Sequence, residues 1–153
     1  MKAPIANTRG SILIAIAVAT SVFMLLMALL LDLGRAWLHA SHLQAAADAA
    51  ALAGAGTVSV RVEVDRDGNV YSQTIILDPD TSRAEALDAL NRNIQAMDLE
   101  NLGVIVTNKE VTVSGLRVTV RVRGTVPMYL LPAFQESYAA IPIRKTASAE
   151  LIP

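Results

Sequence analysis

The 153-residue chain is 53% hydrophobic and 18% charged, and its formal net charge is −1. So mild a charge, without a long basic run, gives no basis for a nucleic-acid partner. The chain has no cysteine, so a packed core and not a disulfide framework must stabilise it. A mean hydropathy of +0.43 is too high for an ordinary soluble domain, and we expect the apolar excess to be concentrated in one segment.

That segment runs from Ser11 to Leu31 and contains no charge, glycine or proline. A helix of about 20 apolar residues crosses a bilayer, and this run is apolar on every face, so we predict a single transmembrane helix over residues 11–31. Lys2 and Arg9 precede it without an acidic residue among them. By the positive-inside rule, residues 1–10 form a basic cytoplasmic tail and the rest of the chain lies outside the cytoplasm.

A cleaved secretory signal is the alternative explanation of this segment. The apolar core of a signal peptide is only about 7 to 15 residues long, and this run is longer. Small residues that could be cut, such as Ala45 to Ala47, lie well beyond the span. We therefore expect the apolar segment to be retained.

The helical pattern continues over residues 32–56, which we expect to emerge from the bilayer. Polar residues recur there at three- and four-residue spacing, namely Asp32, Arg35, His39 and His42. Trp37 suits either the lipid headgroups or a contact with the exported domain. The Ala-rich residues 43–53 favour helix and let another element approach closely, and Gly54 and Gly56 end the helix.

These features occur in a fixed order: Arg9-Gly10, the apolar span, Asp32-Leu33-Gly34-Arg35, and an Ala-rich run beginning Leu43-Gln44. The combination resembles the N-terminal module of the TadE/TadG-like proteins of Flp (tight adherence, type IVb) pilus assembly. We expect a helix-packing motif made of Asp32, Gly34, Arg35, Leu43, Gln44, Ala47, Asp48 and Ala51. Asp32 and Arg35, at the lipid boundary, are expected to pair across one helical turn.

The resemblance implies a pseudopilin-like or accessory pilus protein of the bacterial envelope, anchored in the cytoplasmic membrane. Its partners would be the membrane, other pilus or pseudopilin subunits, the assembly machinery and further copies of itself through the N-terminal helix. Prepilin peptidase substrates of this system are typically cut after Gly and carry Glu at the fifth mature position. Gly10 and Ser11 would form that site, but the fifth residue is Ala15. The missing glutamate argues against processing and favours the TadG-like members.

Residues 57–153 change from helical spacing to alternation and are typical of one small α+β domain. We predict strands at 58–65, 70–77, 104–106, 111–113, 116–123 and 141–151. Ser82 and Glu85 are predicted to form the capping box of one further helix. Met128 to Leu131 should form a loop or short helix between two prolines. The expected fold is pilin-like, with one small antiparallel sheet between this helix and the Ala-rich end of the long helix.

No catalytic, cofactor or metal site is predicted. His39 and His42 could share a metal with Asp32 or Asp48, but three or four ligands do not converge within one turn. The Asp65, Asp67 and Asn69 set lacks the glycine and glutamate spacing of a calcium loop. The sequence shows no nucleophile with a plausible base and no phosphate-binding glycine loop, so we do not expect an enzyme.

Two function classes remain. In an assembly protein the long helix packs with like helices and the exported domain meets other pilus components. In a monomeric membrane-tethered binding or sensor domain the helix is only an anchor, and any apolar sequence would serve. The small-residue face from Ala45 to Ala53 is needed only in the first class, so the sequence favours an assembly protein.

Overall fold

The computed structural model describes residues 8–133, 137 and 139–152. The elements in chain order are α1 (Thr8–Ala55), β1 (Val58–Val64), β2 (Val70–Leu77), α2 (Pro79–Ala96), β3 (Ile105–Ser114), β4 (Arg117–Pro127), a 3-10 turn (Leu131–Ala133) and β5 (Ala140–Glu150). The α+β class, with a long apolar N-terminal helix and a second helix, is confirmed. Residues 1–7 of the expected basic tail, with Lys2, lie outside the described residues.

Helix α1 is continuous over 48 residues and is therefore about 72 Å long at 1.5 Å per residue. Its N-terminal half contacts little of the protein, since every residue from Ser11 to Met27 is exposed. It is the one helix among the described residues that is long and apolar enough to cross a membrane. The C-terminal half of the same helix enters the folded domain.

One face of α1 is buried, and we call it the inner stripe. Its members follow three- and four-residue spacing and are Ala28, Asp32, Ala36, His39, Leu43, Ala46, Ala47, Ala50, Ala51 and Gly54. In this half α1 packs against α2, β4 and β5. Strand β4 meets it with alternate residues, and Val118, Val120 and Val122 are fully buried. The Ala-rich end of the long helix thus covers the sheet, as its small side chains predicted. The sheet does not lie between the two helices, as expected, because α2 packs beside α1 on the same buried face of β4: a Cβ atom at Gly54 would lie close to both Ala86 of α2 and Val118 of β4.

The strands form two antiparallel sheets instead of the single sheet expected. The order β3-β4-β5 makes one sheet, and β1 pairs only with β2. The hairpin enters directly from the end of α1 and returns directly into α2, and these two helices pack together. Both ends of the hairpin are therefore held at the pair of helices. No other described element covers either face of β1, and all its residues are exposed.

The start of α2 also differs from the prediction. Asp78 is the N-cap, accepting a bond from the Thr81 N–H at 3.3 Å, and Pro79 occupies the first turn. An aspartate cap followed by proline is a stronger start than the predicted capping box of Ser82 and Glu85, which was wrong. Ser82 is instead buried inside the helix, where its hydroxyl shares a hydrogen bond with the hydroxyl of Thr57.

The two short strands predicted at 104–106 and 111–113 are parts of one strand, β3. The polar residues between them, Asn108 to Glu110, stay paired with β4 after a bulge at Val106. The sequence pattern did not predict one continuous strand because the residues in its middle are polar. They are tolerated there because β3 lies at an exposed edge of the sheet.

The close approach of α1 to α2 depends on Gly54. A Cβ atom there would lie 2.9 Å from both the Ala86 Cβ and the Ser82 carbonyl oxygen. Although alanine is favoured over glycine in a helix by about 1 kcal/mol, we expect Gly54→Ala to lower the free energy of unfolding by about 1–3 kcal/mol through overpacking.

Denaturant unfolding in detergent micelles measures this difference. The matched control is Gly34→Ala, since nothing lies within 4 Å of a Cβ placed at Gly34 in the same helix. Gly34→Ala should be neutral or stabilising by up to about 1 kcal/mol. Equal effects of the two substitutions would contradict this account of the helix contact.

Candidate functional site

The residues predicted to form the helix-packing motif lie on different faces of α1 and do different things. Asp32 lies on the inner stripe and is 2% exposed. Its carboxylate accepts three backbone N–H bonds, from Tyr129 at 3.2 Å, Leu130 at 2.9 Å and Leu131 at 2.8 Å. The partners are nearly a hundred residues further along the chain. Asp32 therefore fixes the segment Met128–Ala133, which we call the clamped loop, against the helix.

Arg35 does not serve as the direct partner of Asp32 that the spacing predicted. Its guanidinium carbon lies 4.2 Å from the centre of the Tyr129 ring, a cation–π contact on the same loop. Burial raises the pKa of Asp32, but the three N–H bonds and the charge of Arg35 outweigh burial and lower this pKa below its ordinary value. The carboxylate is thus charged at neutral pH, the form that accepts N–H bonds best.

The Ala-rich face is used within the chain. Ala46, Ala47 and Ala50 are 0% exposed and Ala51 is 1% exposed, because α2 and the three-stranded sheet cover them. Leu43 is also fully buried in this core. The presence of this face consequently does not distinguish an assembly protein from a tethered domain, since either would need it to fold.

Gln44 and Asp48 join the helix to the sheet edge. The Gln44 amide nitrogen donates to the Asp48 carboxylate at 2.9 Å and to the Thr146 carbonyl in β5 at 3.2 Å. Both bonds are on the protein surface, where a hydrogen bond contributes on the order of 1 kcal/mol. Their role is to orient β5 along α1.

The opposite side of α1 outside the predicted span is exposed, and we call it the outer face. Its members again recur at three- and four-residue spacing and are Gly34, Trp37, Leu38, Ser41, Ala45, Asp48 and Leu52. Trp37 is 74% exposed and Leu52 is 67% exposed. Trp37 does not pack on the folded domain, one of the two environments that its position suggested. Of the predicted motif, Gly34 and Asp48 therefore face outward and the other members do not form one surface with them.

Of the two histidines on α1, His39 is buried and His42 is half-buried. The Nδ1 atoms of His39 and His42 have no hydrogen-bond partner among the described residues. Burial, then the charges of Arg35 and His42, lowers the pKa of His39, which favours its neutral form. Asp32, the carboxylate considered as a shared ligand, is occupied by the clamped loop. No group of three metal-ligating side chains occurs in residues 8–133, 137 and 139–152.

Gly10 and Ser11, considered as a peptidase site, lie in the first turns of α1. Ser11 is exposed. The absence of cleavage between them, which Ala15 favours, stays a prediction of the sequence.

The comparisons with known proteins bear on the same helix. The family model described as "Putative Flp pilus-assembly TadE/G-like" matches residues 10–57. The matched segment coincides with α1 and the two residues after it. The resemblance found in the sequence is confirmed for this segment, and it indicates a role related to the Flp pilus. No curated protein and no solved structure matches the chain.

The Asp32 clamp can be tested with Asp32→Asn, which keeps the side-chain shape but removes the charge and leaves one acceptor oxygen for three donors. Since each unsatisfied buried donor costs about 1–3 kcal/mol, we expect a loss in the free energy of unfolding of that order. Amide hydrogen exchange at Tyr129, Leu130 and Leu131 should also become faster. Asp48→Asn is the control, because Asp48 is exposed and bonds only a neutral amide. Unchanged exchange at the clamped loop in Asp32→Asn would refute the clamp.

Proposed function

We propose that the chain is a non-enzymatic, membrane-anchored, pilin-like or accessory protein of Flp pilus assembly. It acts through contacts made by α1 and by the exported domain. The observation that carries the proposal is the coincidence of the family match, residues 10–57, with a single 48-residue helix that is apolar in its first half. Because the family match ends where α1 ends, we attribute the shared function of this family to the contacts that α1 makes.

The proposed anchoring follows from the helix. The run from Ser11 to Leu31 is about 31 Å long at 1.5 Å per residue, which equals the thickness of a bilayer core. Nearly all of its side chains are exposed, as expected of residues that contact lipid and not protein. With Lys2 and Arg9 on its N-terminal side, the tail of residues 1–10 faces the cytoplasm and residues 32–153 face outward.

The structure supports retention of the span over cleavage as a signal. A cut near Ala45 to Ala47 would remove Leu43 from the core, where it is 0% exposed, and would separate Asp32 from the clamped loop. Losing a fully buried leucine alone costs about 2–5 kcal/mol, a large part of the stability of a small domain. A chain released in this way would therefore be poorly folded.

The outer face is the surface of α1 that we assign to subunit contacts. It combines three large apolar side chains, Trp37, Leu38 and Leu52, with small residues that permit close approach of a second helix. These small residues are Gly34, Ser41 and Ala45. It also continues the exposed surface of the span without interruption. The proposed occupant is α1 of a second copy or of another subunit with the same N-terminal module.

The first test is the mass and the location of the chain in native membranes. We expect the full 16.2 kDa chain in the membrane fraction, because Ala15 replaces the glutamate of processed pilins. Mass spectrometry of this fraction and of sheared filaments measures it. A chain that begins at Ser11 and is found in filaments would contradict retention and identify a processed subunit. A soluble fragment cut near Ala47 would contradict the anchored protein.

The second test concerns the outer face. A photo-crosslinking amino acid at Ser41 or Ala45 should give adducts in native membranes whose partner, identified by mass spectrometry, is a second copy or another chain with this N-terminal module. The control position is Asp80 on α2, whose side chain is 94% exposed but lies away from α1's outer face. The absence of protein adducts at Ser41 and Ala45 would instead favour the monomeric tethered domain.

A further inference from the structure

The clamped loop is apolar and lies beside the membrane-spanning part of α1. Its sequence, Met128 to Ala133, has no charged residue, and Tyr129 and Leu130 remain 52% and 42% exposed. Single exposed apolar residues are common, but a contiguous exposed apolar patch indicates contact with a partner or a lipid phase. The position of the loop along α1 distinguishes a protein partner from a lipid phase.

The loop reaches below the level of Asp32, into the predicted span. Leu130 and Ala133 line one cavity with Met24, Met27 and Leu31 of α1. Met24 is seven residues before the end of the predicted span at Leu31, which corresponds to about 10 Å along the helix axis. The loop also accounts for the burial of Ala28, which is 6% exposed while its helical neighbours are exposed.

A second cavity, of about 420 Å³, lies on the other side of the same loop. It is lined by Leu25, Leu29 and Leu33 of α1 and by Met128 and Leu131 of the loop, among others. Apolar surface of the exported domain thus continues the apolar surface of the span on both sides of the loop.

The backbone N–H groups of the clamped loop are hydrogen-bonded within the protein and do not need water as a partner. Asp32 accepts the N–H groups of Tyr129, Leu130 and Leu131, and the Ala139 carbonyl accepts that of Met128 at 2.9 Å. The Ala133 N–H donates to the Leu130 carbonyl at 3.2 Å, and Pro132 has no N–H. Every backbone donor from Met128 to Ala133 is therefore satisfied within the protein. Irregular backbone at membrane depth requires this, because unsatisfied groups there cost several kcal/mol each.

We propose that the clamped loop is a second membrane-contact element, with Tyr129 and Leu130 inserted among the headgroups and outer acyl chains of the leaflet that α1 leaves. Tyr129 supplies an aromatic ring of the kind that is enriched at this interface. Arg35, stacked on Tyr129, places a cation near the lipid phosphates. A lipid phase is favoured over a second protein because the loop lies at the depth of the span itself. The proposal rests on the membrane anchoring proposed above.

Tryptophan fluorescence in liposomes with acyl-brominated lipids tests the proposal on the full-length chain. Trp37 is the only tryptophan, so Trp37→Phe provides a silent background. In it, Leu130→Trp should be blue-shifted and its emission reduced about twofold by the brominated lipid, as expected for insertion of about 5–10 Å. Tyr129→Trp, a conservative change at an aromatic position, should behave alike if Leu130→Trp folds poorly. Tyr71→Trp, at a 70% exposed position of the hairpin, should be quenched only by aqueous iodide.

Val18→Trp, inside the predicted span, separates the two proposals. If Val18→Trp is quenched by brominated lipid but the two loop probes respond only to iodide, the membrane-contact element is overturned and the anchor stands. Loop probes protected from both quenchers would overturn it in favour of a protein partner. If Val18→Trp is not quenched by brominated lipid, the anchoring falls, and the loop proposal falls with it.

Discussion

The close packing of the inner stripe of α1 against α2 and the three-stranded sheet is the contact on which the rest of the structure depends. Its small residues, with Gly54 at the tightest point, let the helix lie directly on the protein core. Because α1 is one unbroken helix, this contact also fixes the domain relative to the span. A domain on a flexible linker would be free to move away from the bilayer. Here the distance and the orientation follow from helix geometry.

One consequence is that the two sides of α1 have different roles. The inner stripe is occupied by the chain's own domain, and its alanines contribute close contact more than buried area. On the outer face the chain's own domain leaves Trp37 and Leu52 uncovered, although each would favour burial. Any association between subunits through the C-terminal half of this helix has to use the outer face. The alanine composition that suggested association serves folding instead.

Much of the fold follows from local patterns in the sequence. The apolar run over 11–31 and the alternation in β1 and β4 are repeated signals, and the structure places a helix and strands there. The number of sheets was not predictable in this way, because the alternation of β1 shows which residues share a face but not whether anything covers them. The start of α2 was missed because two capping signals, at Asp78 and Ser82, compete within one turn.

The hydrogen bonds of Asp32 to the clamped loop could not be predicted from the sequence, for a different reason. A lone carboxylate at the end of an apolar span is a visible signal, since such a charge requires a partner. Local spacing suggests Arg35, but the actual acceptor sites are filled by N–H groups almost a hundred residues away. Helical periodicity relates only residues within a few turns, so it could not point to Leu131. Only the tertiary structure shows that these two segments are in contact.

With the clamp known, the four residues Asp32-Leu33-Gly34-Arg35 have separate physical roles. Successive helical residues point about 100° apart, so a run of four covers the whole circumference of the helix. Asp32 points inward and holds the loop, and Leu33 lines the apolar cavity beside it. Gly34 leaves the outer face open, and Arg35 stacks on Tyr129. The segment thus joins the apolar half of the helix, the folded domain and the free surface at the end of the predicted span, which explains why two charged residues are placed at so costly a position.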